Sequence, residues 1–370
     1  MDYNTPMFVK SLEIINFRNY RRQNMTLAPG VNVFSGDNGM GKTNLLEAVY
    51  FSSIGKSTRT SRDKELILWE QERAHVKITA EKSFGDEKVE IIISKNENKR
   101  VAVNGMPVTR LGELMGVVGT VFFSPGELKI VQAGPGERRS FIDIAVCQLS
   151  KAYFYLLTRY NKILAQRNRL LKSGSATGDA LDIWDAQLAA IGAKVVKTRK
   201  GFIKNLAPFA LENHLFLSGG KEPLALFYEG IGGETAEETE GLFLAELKKE
   251  RERDVKLGFT HTGPHKDDLS LKIGAADIRA FGSQGQQRTA ALSLKLSELQ
   301  LAKATREECP VLLLDDVLSE LDIGRQQKLL ERIRGFQTLI TCTHLDLETR
   351  ARLGGQITEF RVENGGCRAL

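Results

Sequence analysis

Residues 36–43 read Gly-Asp-Asn-Gly-Met-Gly-Lys-Thr, a GxxxxGK[ST] string set between an apolar run at 31–34 and a stretch of helical apolar spacing at 43–51. Such a loop can wrap phosphate oxygens in backbone N–H groups. Gly36, Gly39 and Gly41 let the chain turn tightly, Asp37, Asn38 and Met40 carry amides between them, and the following helix aims its positive end at the anion. Lys42 is expected to neutralise β- and γ-phosphate charge, and Thr43 to ligate Mg²⁺. Far downstream, "VLLLDD" at 311–316 is a buried-strand pattern ending in two carboxylates. Asp315 is placed to hold Mg²⁺ directly or through water, and Asp316 to orient or activate an attacking water. Lys42, Asp315 and Asp316 are thus the candidate catalytic groups, with ATP and Mg²⁺ as cofactors.

Between these elements and after them come "GSQGQQR" at 282–288, "SELD" at 319–322 and "TH" at 343–344. This order resembles the ATP-binding-cassette layout, in which a signature loop completes the site of a second subunit. The resemblance assigns Ser283, Gly285 and Gln286 to the signature, Ser319 through Asp322 to the D-loop, and His344 to a switch histidine facing the γ-phosphate. One departure stands out: Ser124, before Pro125, occupies the place where cassettes carry the Q-loop glutamine. Arg18, in "NFRNY", is within reach of adenine or an α-phosphate, and Arg59, in "STRT", follows the first helix on a polar segment.

The elements that must position these residues are legible as patterns. Short strands are expected at 8–15, 31–34, 74–80, 89–94 and 100–103, with a hairpin turn at Asn104-Gly105 and one helix after the phosphate loop. From 137 to about 213 strand signal fades and two long amphipathic stretches, broken at 174–178, predict an antiparallel helical hairpin. Strand signal returns in "DLSLKI" and "ADIRAF", followed by a helix at 286–301, the aspartate strand, a helix after Asp322 and the strand "QTLITCTH". The expected fold class is α/β: a cassette-type ATPase head, its P-loop sheet carrying an antiparallel β lobe, with an inserted, mainly helical arm. The expected boundaries are 1–135 and 257–370 for the two parts of the head and 136–256 for the arm.

A chain of 370 residues, 42% hydrophobic, can bury a sizeable core. No apolar run approaches the roughly 20 residues needed to span a bilayer, and residues 1–10 lack the pattern of a signal peptide, so a cytoplasmic location is expected. Cys147, Cys309, Cys342 and Cys367 have no metal-site or disulfide-framework spacing and are expected to be buried thiols. "THTGPHKDDL" at 260–269 matches no familiar zinc spacing, and its histidines and aspartates are expected to serve structure. The net charge of +6 is concentrated: residues 151–205 hold 11 Lys and Arg against 3 Asp and Glu, whereas 221–254 hold 5 against 10. The basic arm, with Tyr153, Phe154, Tyr155 and Tyr160 interleaved, suits a polyanion. Arg138, Arg139, Arg159, Arg167, Arg169, Lys197, Arg199 and Lys200 are the candidate phosphate contacts on DNA.

Two longer stretches narrow the resemblance: "PGELKIVQAGPGERRSFID" at 125–143 and "LLLDDVLSELDIGRQQKLL" at 312–330. With "LEIINFRNY", "GDNGMGKTNLLEAVYF" and "TGPHKDDL", they resemble the RecF family of bacterial recombination mediators over nearly the whole chain. That resemblance implies an SMC-like ATPase with a short arm. It implies a homodimer formed on ATP, weak DNA-stimulated hydrolysis, and binding to gaps or single-strand/duplex junctions. It further implies work with RecR and RecO in recombinase loading, replication and the SOS response. A transporter's ATPase subunit would instead need the Q-loop glutamine and a membrane-coupling surface, and a P-loop kinase would leave the signature and D-loop matches accidental.

Overall fold

The protein's structure, a computed structural model, describes residues 7–173, 178–306, 308–353 and 357–370. The break expected at 174–178 falls largely on residues outside this set. The described chain forms two compact units: one from residues up to Leu128 with Phe216–Gly220 and Ala291–Leu370, the other from Lys129–Leu215 and Lys221–Ala290.

The first unit is built on two sheets. One is mostly parallel, in the order Gly366–Ala369, Ile357–Glu363, Val31–Ser35, Thr338–Cys342, Val311–Asp315, Thr120–Phe123. Its central strands are covered on both faces, which is why Val311–Asp315 is buried throughout and reads as an unbroken apolar run. The other is antiparallel, in the order Tyr20–Thr26, Phe8–Phe17, Arg73–Lys82, Gly85–Ser94, Arg100–Val103, Met106–Pro107. Its strands alternate: Ala74, Val76, Ile78 and Ala80 turn inward while their neighbours face out. Asn104 and Gly105 both take positive φ, 53° and 79°, which closes the expected hairpin with Val103 opposite Met106. Helix Lys42–Ile54 packs against strands of both sheets, so it is buried almost all round instead of along one stripe.

The second unit is mainly helical. Helices Pro135–Leu149, Lys151–Lys172 and Gly178–Ser218 are followed by strand Leu224–Glu229, helices Ala236–Lys249 and Arg251–Leu257, and strand Asp268–Ile273. Three contacts fix the two long helices as an antiparallel pair: Tyr153 meets Arg199, Tyr160 lies against Gly192, and Arg167 pairs with Asp185. As one partner advances along its helix the other recedes by the same number of residues, which defines the hairpin.

Two expectations are corrected. "ADIRAF" is a strand only at Ala276–Asp277, because Asp277 accepts the Ala280 N–H and starts a short helix, Ile278–Phe281. Residues 257–290, assigned from sequence to the head, fold with the arm unit: Asp268–Ile273 pairs antiparallel with Leu224–Glu229, and Asp268 holds the guanidinium of Arg138.

Candidate nucleotide site

In the first unit the phosphate loop crosses from strand Val31–Ser35 to helix Lys42–Ile54. Gly39 and Gly41 take φ of 81° and 112°, and a Cβ on Gly41 would lie 2.5 Å from the Asn19 side chain, so the bend requires glycine there. Asp37, Asn38 and Gly39 form the exposed tip, Met40 is half-buried and Gly36 is buried. Asn19 donates to the Met40 carbonyl (2.9 Å) and the Tyr20 hydroxyl to that of Gly41 (3.1 Å), holding the loop from outside. The Lys42 ammonium is buried, and its partners are the carbonyls of Gly36 (2.6 Å) and Asp37 (3.1 Å). A buried cation held by neutral carbonyls is matched to an incoming anion.

The aspartate strand does not lie beside the loop strand; Thr338–Cys342 runs between them. That order brings the Thr341 hydroxyl to Asp315, where it donates to Oδ1 (2.8 Å) alongside the Thr43 hydroxyl (2.9 Å). Thr341 also accepts the N–H of Asp316 (2.9 Å), fixing a residue whose φ is +52°. Burial raises the pKa of the Asp315 carboxyl above the usual range, with Thr341 and Thr43 opposing it only in part. A carboxylate made costly by burial, beside a hydroxyl and among oxygen donors only, fits a hard divalent cation such as Mg²⁺. Thr43 and Asp315 are the groups that would hold it.

Glu47, one helical turn beyond Thr43, is fully buried and receives both arginines named from sequence. Arg18 donates through Nε and Nη2 to its two oxygens, each at 2.8 Å; Arg59 donates to the same carboxylate and to Asn44 Oδ1. Arg18 is therefore engaged by Glu47 and, through Nη1, by the Glu65 carbonyl. Asp322 caps helix Ile323–Arg332 by accepting the Arg325 N–H (3.0 Å). That bond, first among several, holds its carboxyl below the usual range. Ser319 donates to the Asp316 carbonyl (2.7 Å), and His344 is exposed just past strand Thr338–Cys342. Ser124 follows the edge strand Thr120–Phe123 and is half-buried. Cys147 and Cys309 are buried as expected, while Cys342 and Cys367 are half-buried.

In the second unit, Ser283 and Gln286 cap helix Gln284–Thr305 reciprocally: Gln286 Oε1 accepts the Ser283 N–H (2.8 Å) and Ser283 Oγ accepts the Gln286 N–H (3.2 Å). Gln286 Nε2 also donates to Glu222 (2.9 Å), and Gly285 lies in the first helical turn. The N–H groups of Ser283, Gln286 and Gln287 are thus satisfied within the cap itself.

The arm arginines divide sharply. Arg138 bonds Asp268 (2.6 and 2.8 Å) and the Ala133 carbonyl; Arg199 bonds Asp143, Tyr153 and the Pro264 carbonyl; Arg167, with no exposed surface, bonds Asp185 (2.6 Å), Asp254 (2.6 Å) and Thr260 (2.8 Å). These three are internal ion pairs, because a guanidinium sealed among carboxylates has no face left for a DNA phosphate. Arg139 and Lys200 are half-buried on the carbonyls of Asp267 (2.7 Å) and Gly233 (3.0 Å), while Arg159, Arg169 and Lys197 are exposed. Tyr153 and Tyr160 are core residues and Phe154 is half-buried. His261 and His265 of "THTGPHKDDL" face Asp254 and Tyr160, tying that segment into the same buried network.

Three residues that shape the site escaped the sequence reading. Thr341 is hidden in an apolar strand and has no motif signal. Asn19 lies beside Arg18, and Glu47 is the polar break in the apolar stretch 45–51.

Comparison with known proteins places these features in a wider group. A family model described as the RecF/RecN/SMC N terminal domain matches residues 8–353. The chain is 47% identical over 343 residues to the DNA replication and repair protein RecF of Lachnoclostridium phytofermentans, covering 92% of this chain and 94% of that protein. To the protein of the same name from Clostridium tetani it is 42% identical over 365 residues, covering 98% and 99%. Among solved structures it resembles the recombination mediator protein RecF with ATP, of the RecFOR pathway, at a TM-score of 0.92 and 36% identity, covering 99% of this chain and 98% of that one. The Smc head bound to the C-winged helix domain of ScpA, 15% identical with a TM-score of 0.59, shares the fold.

Proposed function

The chain belongs to the RecF family, and from that membership and the geometry of its phosphate loop we propose that it is an ATP-dependent DNA-binding recombination mediator acting on gapped DNA. The observation that carries the nucleotide part is the buried Lys42 ammonium held by two carbonyls, beside a Thr43–Asp315 pair in which the carboxylate is costly to keep without a cation. The likeness to a RecF structure with ATP over 99% of this chain supports the same reading.

In this reading the loop amides and Lys42 bind the β- and γ-phosphates. Thr43 and Asp315 hold Mg²⁺, whose chemistry when bound is to withdraw charge from the phosphate oxygens. Asp316, fixed by Thr341, orients the attacking water, and His344, exposed just past strand Thr338–Cys342, acts as a switch. The capped start of Gln284–Thr305, with Ser283, Gly285 and Gln286, serves the nucleotide of a second subunit, so ATP joins two copies and slow, DNA-stimulated hydrolysis releases them. Asp322 and Arg18, the latter with its fork on Glu47 kept, are the further proposed nucleotide contacts. Arg159, Arg169 and Lys197 are the leading DNA contacts, with Arg139 and Lys200 behind them. RecO and RecR, implied for a relative described as part of the RecFOR pathway, are the proposed partners in loading recombinase, with roles in replication and the SOS response. A cytoplasmic site of action accords with a described chain in which no helix is long and apolar enough to cross a membrane. Family membership speaks against the transporter-subunit and kinase alternatives.

Two variants test the scheme. Replacing Lys42 with alanine removes charged hydrogen bonds worth about 1.5–3 kcal/mol and raises the Kd for ATP roughly 10- to 150-fold. Ser283→Arg leaves ATP binding by the monomer intact and abolishes ATP-dependent dimerisation in sedimentation velocity. A dimer indifferent both to ATP and to Ser283→Arg would sink the shared-site scheme.

A further inference from the structure

Glu47 is a carboxylate with no exposed surface, on the helix that leaves the phosphate loop, and nothing in the nucleotide chemistry above uses it. Burial weighs most heavily against its ionised form. The hydrogen bonds from Arg18, Arg59 and Ser57 outweigh that cost, and its pKa lies below the usual carboxylate value. A buried charge kept ionised by two guanidiniums is expensive to assemble and is retained where it fixes an arrangement.

The arrangement is continuous as far as the loop itself. Arg59 Nη2 donates both to Glu47 Oε2 and to Asn44 Oδ1. Asn44 Nδ2 donates to Asn19 Oδ1 (2.7 Å), and Asn19 Nδ2 donates to the Met40 carbonyl (2.9 Å). Asn19 is also the side chain packed against Gly41, whose φ of 112° sets the turn into the helix. Arg18, the residue before Asn19, takes φ of 54° and is clamped by both Glu47 oxygens, so the backbone that carries Asn19 is anchored at the same carboxylate. Glu47 thus reaches the phosphate loop by two routes, one through side chains and one through the chain from Arg18 to Asn19.

We infer that Glu47 is a positioning residue for the phosphate loop, holding the Met40–Gly41 peptide in its anion-binding shape through Arg59, Asn44 and Asn19. The inference rests on the nucleotide reading of that loop. The Glu47–Arg59, Asn44–Asn19 and Asn19–Met40 links are part-buried hydrogen bonds, where misalignment is costly, and Arg59–Asn44 is exposed; both routes meet at Asn19, so a cut at Glu47 or at Asn19 frees the loop to the same degree. Links of one chain are therefore non-additive in their effect on ATP affinity, whereas separate contributions to stability add.

ATP binding by the full-length chain is to be measured by equilibrium titration for wild type, Glu47→Gln, Asn19→Ala and the double variant, with thermal midpoints recorded alongside. Each single change is expected to weaken ATP binding about tenfold, and the double variant to be no weaker than about tenfold. Wild-type affinity in folded Glu47→Gln overturns the inference even where the thermal midpoint falls. Effects that multiply to about a hundredfold in the double variant overturn it as well. If Glu47→Gln does not fold, Asn44→Ala decides, since it cuts the side-chain route and leaves the Arg18–Glu47 fork in place: ATP binding weakened by up to about tenfold, with no further loss on adding Asn19→Ala, supports the inference, and wild-type affinity overturns it. Loss of ATP binding by the wild type would instead overturn the proposed function.

Discussion

Replacing Arg167 with methionine separates a structural arginine from a DNA contact. Arg167, Asp185 and Asp254 are all wholly buried, and the guanidinium donates to both carboxylates at 2.6 Å and to Thr260 at 2.8 Å. Methionine keeps most of the volume and leaves two buried carboxylates short of their shared cation. Breaking a buried pair costs about 3–5 kcal/mol. Asp185 retains Arg251 at 2.7 Å and Asp254 retains His261 at 2.8 Å, which places the loss near ~3 kcal/mol, the lower end of that range. For a unit of this size each kcal/mol moves the unfolding midpoint by about 2–4 °C, so the arm unit is expected to melt about 6–12 °C lower. Differential scanning calorimetry reads the midpoint. A salt titration of binding to gapped DNA, at a temperature where the variant is folded, should give an unchanged slope of log K against log salt. The exposed Arg159, Arg169 and Lys197 should behave in the opposite way: alanine there leaves the midpoint in place and lowers the slope by up to ~0.9 for each phosphate no longer neutralised. An Arg167→Met protein with wild-type melting and a reduced salt slope would refute the assignment of Arg167 to the core.

Asp315→Asn should abolish Mg²⁺-dependent ATP turnover yet raise the melting temperature of the nucleotide-free protein, because the native carboxyl has a pKa raised mainly by burial. A carboxyl of that kind favours the fold below its unfolded pKa of about 3.9 and loses that contribution as pH rises through its folded value. The gain from asparagine should therefore be full at neutral pH and shrink towards pH 4; a variant less stable than wild type at pH 7 would contradict this. His265 behaves in the reverse sense: burial depresses its pKa to about 4, so the neutral ring favours the fold above about 6.5 and the contribution is lost as pH falls towards 4. The loss amounts to about 3 kcal/mol for a shift of this size, read as acid destabilisation of the arm unit by circular dichroism and absent in His265→Asn or His265→Gln.

The phosphate loop was legible because its requirements are local. Glycine at 39 and 41 is demanded by backbone angles, and Lys42 and Thr43 follow at fixed spacing. The aspartate strand was legible for a similar reason, since a short unbroken apolar run ending in two carboxylates has the pattern of a buried strand, and Val311–Asp315 is buried throughout. Ser283 and Gln286 were assigned to the signature by order along the chain, and the same spacing is a helix-capping box, which is the role the structure shows. Asp322, assigned to the D-loop by the same order, is a helix cap.

The basic arm shows where such reading stops. An excess of lysine and arginine over 151–205 suggested a phosphate surface, but charge counted along one segment ignores the acids that fold against it from elsewhere. Arg199 finds Asp143 56 positions away and Arg167 finds Asp254 87 positions away, both acids lying outside that segment. Sequence alone determined the phosphate loop and its flanking strand and helix, the α/β class of the head and the helical nature of the arm, because each depends on neighbours within a few residues. Only the tertiary structure decided which arginines are core and which are surface, that Thr341 bridges Asp315 and Asp316, and that Glu47 is tied to the loop. Burial and pairing across distant segments set the free energy of a charge, and no local pattern records them.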